Sequence, residues 1–218
     1  MKETMVATAI AIICSSYIVA IWSYWKDNSR GQRPAQNDWS ILTHFGVLLT
    51  LFLWGLWPLD WWLLTNAAFG IPAMALTYYQ VRRKSLQPSS SNLVVFVIVS
   101  VLASMAVVGV TLIHFGLESV SGVVGAWGFY VTGLMMNGGQ VWANLTKMKP
   151  ENSHYQMWPQ TILCIGGTFL VIYCFLDSAP NREAGRCIGP INVLITFIAV
   201  YTAKFYPGKL ARGVKAMR

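Results

Sequence analysis

Over 218 residues the chain is 55% hydrophobic and only 11% charged, with a formal net charge of +8. A soluble domain of this length carries roughly twice that share of charge, so the composition excludes one and leaves a polytopic membrane protein. Nucleic acid is also excluded as a partner, because the Lys and Arg residues sit as short caps between apolar runs and no recognisable binding module is present.

Windows long enough to cross about 30 Å of hydrocarbon predict seven spans, at 5–25, 40–57, 61–81, 92–114, 119–142, 157–176 and 187–206. The first has only Lys2 ahead of it, lacks a small-residue cleavage pattern and ends in the aromatic and charged WSYWKDNSR, so it reads as a retained helix. Of the 16 Lys and Arg residues, Lys2, Arg182 and Arg186 fall in one set of loops and all the others in the opposite set. That skew predicts an outside N-terminus and a cytoplasmic C-terminus.

The third span carries TNAAFGIPA, which sets the amide of Asn66 within an apolar helix, and the seventh carries GPINVLI, which does the same with Asn192. Lipid offers an amide no partner, so each must meet a neighbouring helix or a polar cavity. The two are expected to face each other. The blander alternative is a helix-to-helix hydrogen bond worth about 1 kcal/mol.

The first and fifth spans share a plan. Each has a Trp near its cytoplasmic exit (Trp22, Trp142), then a Lys (Lys26, Lys147), a polar loop, and a Trp opening the next span (Trp39, Trp158). The second and sixth spans close with WGLW (54–57) and LVIY (170–173) at equal separation, and an Asn-bearing span follows in both. Two repeats are expected, a first three-helix bundle at 1–81 and a second at 119–218 with a short basic tail, joined by a linker helix at 92–114. An odd number of spans per repeat plus one linker makes the repeats parallel. The predicted fold is thus an all-α membrane protein of seven transmembrane helices.

These residues resemble the SWEET sugar transporters and the wider PQ-loop superfamily, which have the same layout of three helices, a linker and three helices. The resemblance rests on TNAAFG around Asn66, GPINVL around Asn192, the LFLWGLWPL end of the second span and the polar loops after the first and fifth. It implies that Asn66 and Asn192 contact a sugar and that Trp54 and Leu170, at the second-helix ends, line the pocket above and below it. Leu170 stands where the family often has Trp, and the PQ dipeptide, Pro159-Gln160, opens the sixth span instead of ending the first or fifth.

A pocket for a polyhydroxylated solute needs amides to replace water and a flat face to stack on. Asn66, Asn192, Trp54 and Trp57 offer both, with Leu170 and Tyr173 at the matching end of the second repeat. Trp22, Trp25, Trp39, Trp61, Trp62 and Trp158 read instead as interfacial anchors. Gly70-Ile71-Pro72, Asn137-Gly138-Gly139 and Gly166-Gly167 are expected to interrupt spans three, five and six as hinges for alternating access, with static close packing as the alternative.

The eight acidic residues sit at span edges or in loops and none at mid-membrane, where a proton relay would leave one. His44 and His114 read as packing or interfacial residues, and Lys204 as a snorkelling lysine rather than a Schiff-base carrier. Facilitated diffusion of a small polar solute, without ion coupling, is the expected activity. Cys14, Cys164, Cys174 and Cys187 form no zinc pattern, while a bridge between Cys174 and Cys187 stays open. No cofactor or metal is expected; the partners are the solute and membrane lipid, with self-association into a homo-oligomer allowed for, and the plasma membrane is the expected location. Asn144-Leu145-Thr146 matches a glycosylation acceptor but falls on the cytoplasmic side.

The rival is an enzyme. Integral-membrane terpene cyclases are similar in size and helix number, and GAWGFYVTG (125–133) resembles their fifth helix. Their chemistry needs an acid within the bundle to protonate an alkene or epoxide, and neither the second nor the seventh span supplies one.

Overall fold

The computed structural model describes residues 2–29, 38–57, 59–82, 100, 107–108, 111–146, 148 and 153–210. The described chain is helical: α1 (Lys2–Ser29), α2 (Asp38–Gly55), α3 (Trp61–Arg82), α4 (Glu118–Thr146), α5 (Ser153–Leu176), a 3₁₀ turn (Pro180–Arg182), α6 (Glu183–Cys187) and α7 (Gly189–Phe205). Six of the seven predicted spans coincide with α1 to α5 and α7; most of the predicted linker at 92–114, and the polar stretches at 30–37 and 149–152, lie outside the described residues.

Among the described residues three helices are both long and apolar enough to cross a membrane, Lys2–Ser23, Glu118–Thr146 and Met157–Leu176. A fourth is added if Pro180–Cys187 and Gly189–Phe205, bent by 43°, count as one span. Large apolar side chains such as Phe175, Leu194 and Phe197 point outward from these helices, as they would toward lipid. Trp22, Trp25, Trp61, Trp62 and Trp158 are exposed at helix ends, where an amphipathic ring suits a membrane interface.

Helix starts follow local chemistry. Asp60 caps α3, its Oδ1 accepting from the backbone N–H groups of Trp62 (3.0 Å) and Leu63 (3.2 Å). Pro190 sits in the first turn of α7, where its missing N–H costs nothing. Glu3 and Lys26 stand at the ends of α1 that favour their charges.

The six long helices pack in a ring. α1 touches α3, α3 touches α2, α2 touches α4, α4 touches α7, α7 touches α5, and α5 returns to α1. The α2–α4 seam is close because α4 presents glycines to it: a Cβ on Gly125 would strike the backbone of Trp54, Leu53 and Thr50, one on Gly122 would strike Trp57, and one on Gly128 would strike Thr50. Ser121 Oγ donates to the Leu53 carbonyl across the same seam at 3.2 Å. The α1–α5 seam closes at Gly166, whose face meets Ile12 and Ile13.

The expected breaks at the hinge candidates are absent. α3 runs unbroken through Pro72, α4 through Gly138 and Gly139, and α5 through Gly166 and Gly167. Pro72 lies on the exposed side of its helix, Gly138 meets nothing, and Gly166 is a packing contact. The bend that does occur lies at Ile188, between α6 and α7.

Candidate functional site

The ring encloses a cavity of about 60 Å³. Its walls are chiefly apolar, with Ile13, Val47, Leu163, Leu170 and Val171 among them, and its polar groups are few and placed on separate helices. Asn66 of α3 and Asn192 of α7 both line it. Asn66 is 1% exposed, and its Oδ1 accepts from Cys14 Sγ at 3.7 Å. Asn192 is held by its neighbours: its Oδ1 accepts from Asn137 Nδ2 at 2.8 Å and its Nδ2 donates to the Tyr130 carbonyl at 3.4 Å. Asn137 Nδ2 also donates to Thr196 Oγ1 at 2.8 Å, and that hydroxyl donates to the Asn192 carbonyl at 2.8 Å. Tyr17 and His44 also line the cavity, their rings tilted at 53° with centres 5.7 Å apart. The described lining includes no carboxylic acid.

The predicted aromatic residues lie elsewhere. Trp54 is fully buried beside the cavity rather than on it, packed at a tilt against Phe129 (5.4 Å) and Tyr130 (5.7 Å), with the Arg182 guanidinium over its ring (5.2 Å). Trp57 contributes its carbonyl, which accepts from Asn181 Nδ2 at 2.9 Å. Tyr173 accepts at its hydroxyl from Arg182 Nη2 at 2.6 Å. Of the residues expected to touch a solute, Asn66, Asn192 and Leu170 therefore line the cavity, while Trp54, Trp57 and Tyr173 do not. At the end of α2 the backbone of Trp54 lies against Gly125 of α4, and its ring fills the space between Phe129, Tyr130 and Arg182.

The layer around Trp54 is built on Arg182, which sequence reading treated as a loop charge. Its side chain is 3% exposed, and it bridges Asp60 Oδ2 (3.2 Å), from the turn before α3, and Asp177 Oδ2 (3.4 Å), from the end of α5. Lys2 joins from the start of α1 through Asp177 Oδ1 at 3.2 Å. The carboxyl of Asp177 is lifted by burial but lowered more strongly by the Lys2 hydrogen bond and the Arg182 charge, so it is held below the usual carboxylate range. A wider cavity of about 370 Å³ opens above this cluster, lined by Lys2, Glu3, Trp61, Trp62 and Arg182. Trp54, Tyr173 and Arg182 thus separate the outer cavity from the central one.

At the other end, Asn144 is fully buried, accepting from Gln140 Nε2 (3.0 Å) and donating to Gln160 Oε1 (3.3 Å) and the Ala199 carbonyl (2.8 Å). A glycan has no access to it. The four cysteines are free thiols; Cys174 is buried against the Tyr130 hydroxyl at 3.4 Å, while Cys187 is exposed. Lys204 is exposed, over the Phe205 ring. Among the described residues no group of three His, Cys, Asp or Glu could hold a metal.

Asn137, Thr196, Tyr17 and His44 were missed as cavity residues. For Asn137 the signal was available, since it is a third amide within an apolar span, but the neighbouring Gly138-Gly139 drew it into a break.

No protein-family model, curated protein or solved structure matches this chain. What the fold and composition define is a helical membrane protein with a central cavity between its helices.

Proposed function

We propose that the protein is a facilitative transporter, a uniporter working by alternating access, for a small uncharged polar solute of the sugar class. The observation that carries this reading is that Asn66 and Asn192, from the two halves of the chain, line one enclosed cavity. The helix order supports it: exchanging α1, α2 and α3 for α4, α5 and α7 leaves the ring unchanged, as two parallel three-helix repeats require. The grouping of the helix ends agrees with the proposed alternation of spans: Lys2, Asp60, Asp177 and Arg182 gather at one end, away from the Met148 and Gly208 backbones that meet at the other. With the Arg182 layer intact, the outer side is closed.

The cyclase alternative gains nothing from the cavity. The described lining holds no carboxylic acid, and Gly125 and Gly128 of GAWGFYVTG serve the α2–α4 seam while Gly133 faces Asn192 of α7. Uptake and efflux of labelled solutes by reconstituted vesicles, with and without a proton gradient, test the proposal. The expected result is flux down the solute gradient, unchanged by the proton gradient, and at least about tenfold slower in Asn66→Ala. No flux of any solute sinks the transporter; turnover of a prenylated substrate would establish the enzyme.

A further inference from the structure

We infer that the polar contact supplied by the second half of the chain is Asn137 rather than Asn192, and that the occupant is a neutral polyol no larger than a monosaccharide. This rests on the transport reading and sharpens it.

The assignment follows from the direction of the hydrogen bonds. The Tyr130 carbonyl can only accept, so the Asn192 amide must turn its Nδ2 there and its Oδ1 toward Asn137. That fixes Asn137 with Nδ2 toward Asn192, and the Thr196 hydroxyl, whose proton goes to the Asn192 carbonyl, accepts the second N–H of the same group. Asn192 thereby has a protein partner on each of its two amide atoms. The Asn137 Oδ1, in contrast, accepts nothing among the described residues, and it is not among the buried atoms sealed off without a partner. Asn66 is in the same position with the opposite polarity: its Oδ1 is taken by Cys14 while its Nδ2 is unengaged and unsealed. Both side chains are more than nine-tenths buried and line the cavity.

One free donor and one free acceptor, on opposite halves, match hydroxyl groups, which give and take a hydrogen bond. A cavity of about 60 Å³ has room for about four to six waters, equivalent to about 120–180 Å³ of liquid. A triol, a tetritol or a single sugar ring fits within that range; two linked rings do not.

Binding of glycerol, erythritol, xylose, glucose and sucrose to the reconstituted chain, followed by singly deoxygenated glucose analogues, tests both parts. Glucose or a smaller member should bind and sucrose should not. Removing one hydroxyl should weaken binding about tenfold in the wild type and in Asn192→Ala, where Thr196 still orients Asn137, and should cost little in Asn137→Ala. Asn137→Ser, read the same way, serves if Asn137→Ala is unstable. Tight binding of sucrose, or a hydroxyl coupling that vanishes in Asn192→Ala and survives in Asn137→Ala, overturns the inference while leaving a transporter. No binding and no flux of any member overturns the transport reading with it.

Discussion

At the level of single residues the outer cluster buries charge at a cost. A guanidinium removed from water is tolerated only where its charge is matched, and Arg182 is matched by two carboxylates, one hydroxyl and two aromatic faces. Even so its Nη1 is sealed without a hydrogen bond, as are Trp54 Nε1 and Asn181 Oδ1. Arg182→Leu strands the Asp60 carboxylate, which is only 10% exposed, and should lower stability by about 3 kcal/mol. Adding Asp60→Asn should recover part of the loss, because an amide still caps α3 but carries no charge to bury. Thermal unfolding of the purified protein in detergent reads both changes; a single variant as stable as the wild type would show that the cluster contributes nothing. The cluster was not legible in the sequence because charge counting places a residue in a loop without saying that the loop folds inward. Asn66 and Asn192 were legible, since an amide in hydrocarbon has few fates, whereas the Trp residues were not: an indole serves an interface, a core or a pocket equally well.

At the level of elements, glycine had two readings in the sequence, and the structure separates them. Breaks were expected at Pro72, Gly138-Gly139 and Gly166-Gly167, yet each helix continues through. A proline's lost hydrogen bond can be absorbed when its ring faces outward, and Gly166 is held straight by Ile12 and Ile13 beside it, whereas Gly138 simply continues its helix in open space. Gly122, Gly125 and Gly128 do the structural work instead, bringing α4 against the backbone of α2. Gly125→Ala should therefore force the two helices apart and cost about 1–3 kcal/mol. Gly138→Ala, with open space around it and helical backbone, should be neutral or slightly stabilising. Side-by-side melting of the two variants checks the contrast, and equal midpoints would refute the close seam. Span positions were readable because length and apolarity suffice to mark them; which face of each helix is packed was not, since mostly apolar helices carry little amphipathic signal.

At the level of the whole molecule, the ring order is the same in both halves, and Lys2, Asp60, Asp177 and Arg182 gather at one end. The charge skew predicts that this end faces outward. The chain carries its own reporter. Cys187, at the end of α6 on this side, is exposed, while Cys174 is buried and Cys14 and Cys164 are half-buried midway along α1 and α5, against Asn66 and the Val193 carbonyl. A membrane-impermeant maleimide applied to intact expressing cells should therefore label the wild type at Cys187 and leave Cys187→Ser unlabelled. Permeabilising the cells should add little, because Cys174 is buried by packing and Cys14 and Cys164 sit half-buried in the middle of apolar helices, away from either aqueous face. Labelling that appears only after permeabilisation, and is lost in Cys187→Ser, would invert the molecule: the Arg182 layer would then close the cytoplasmic side, and the central cavity would be sealed from within instead of from outside.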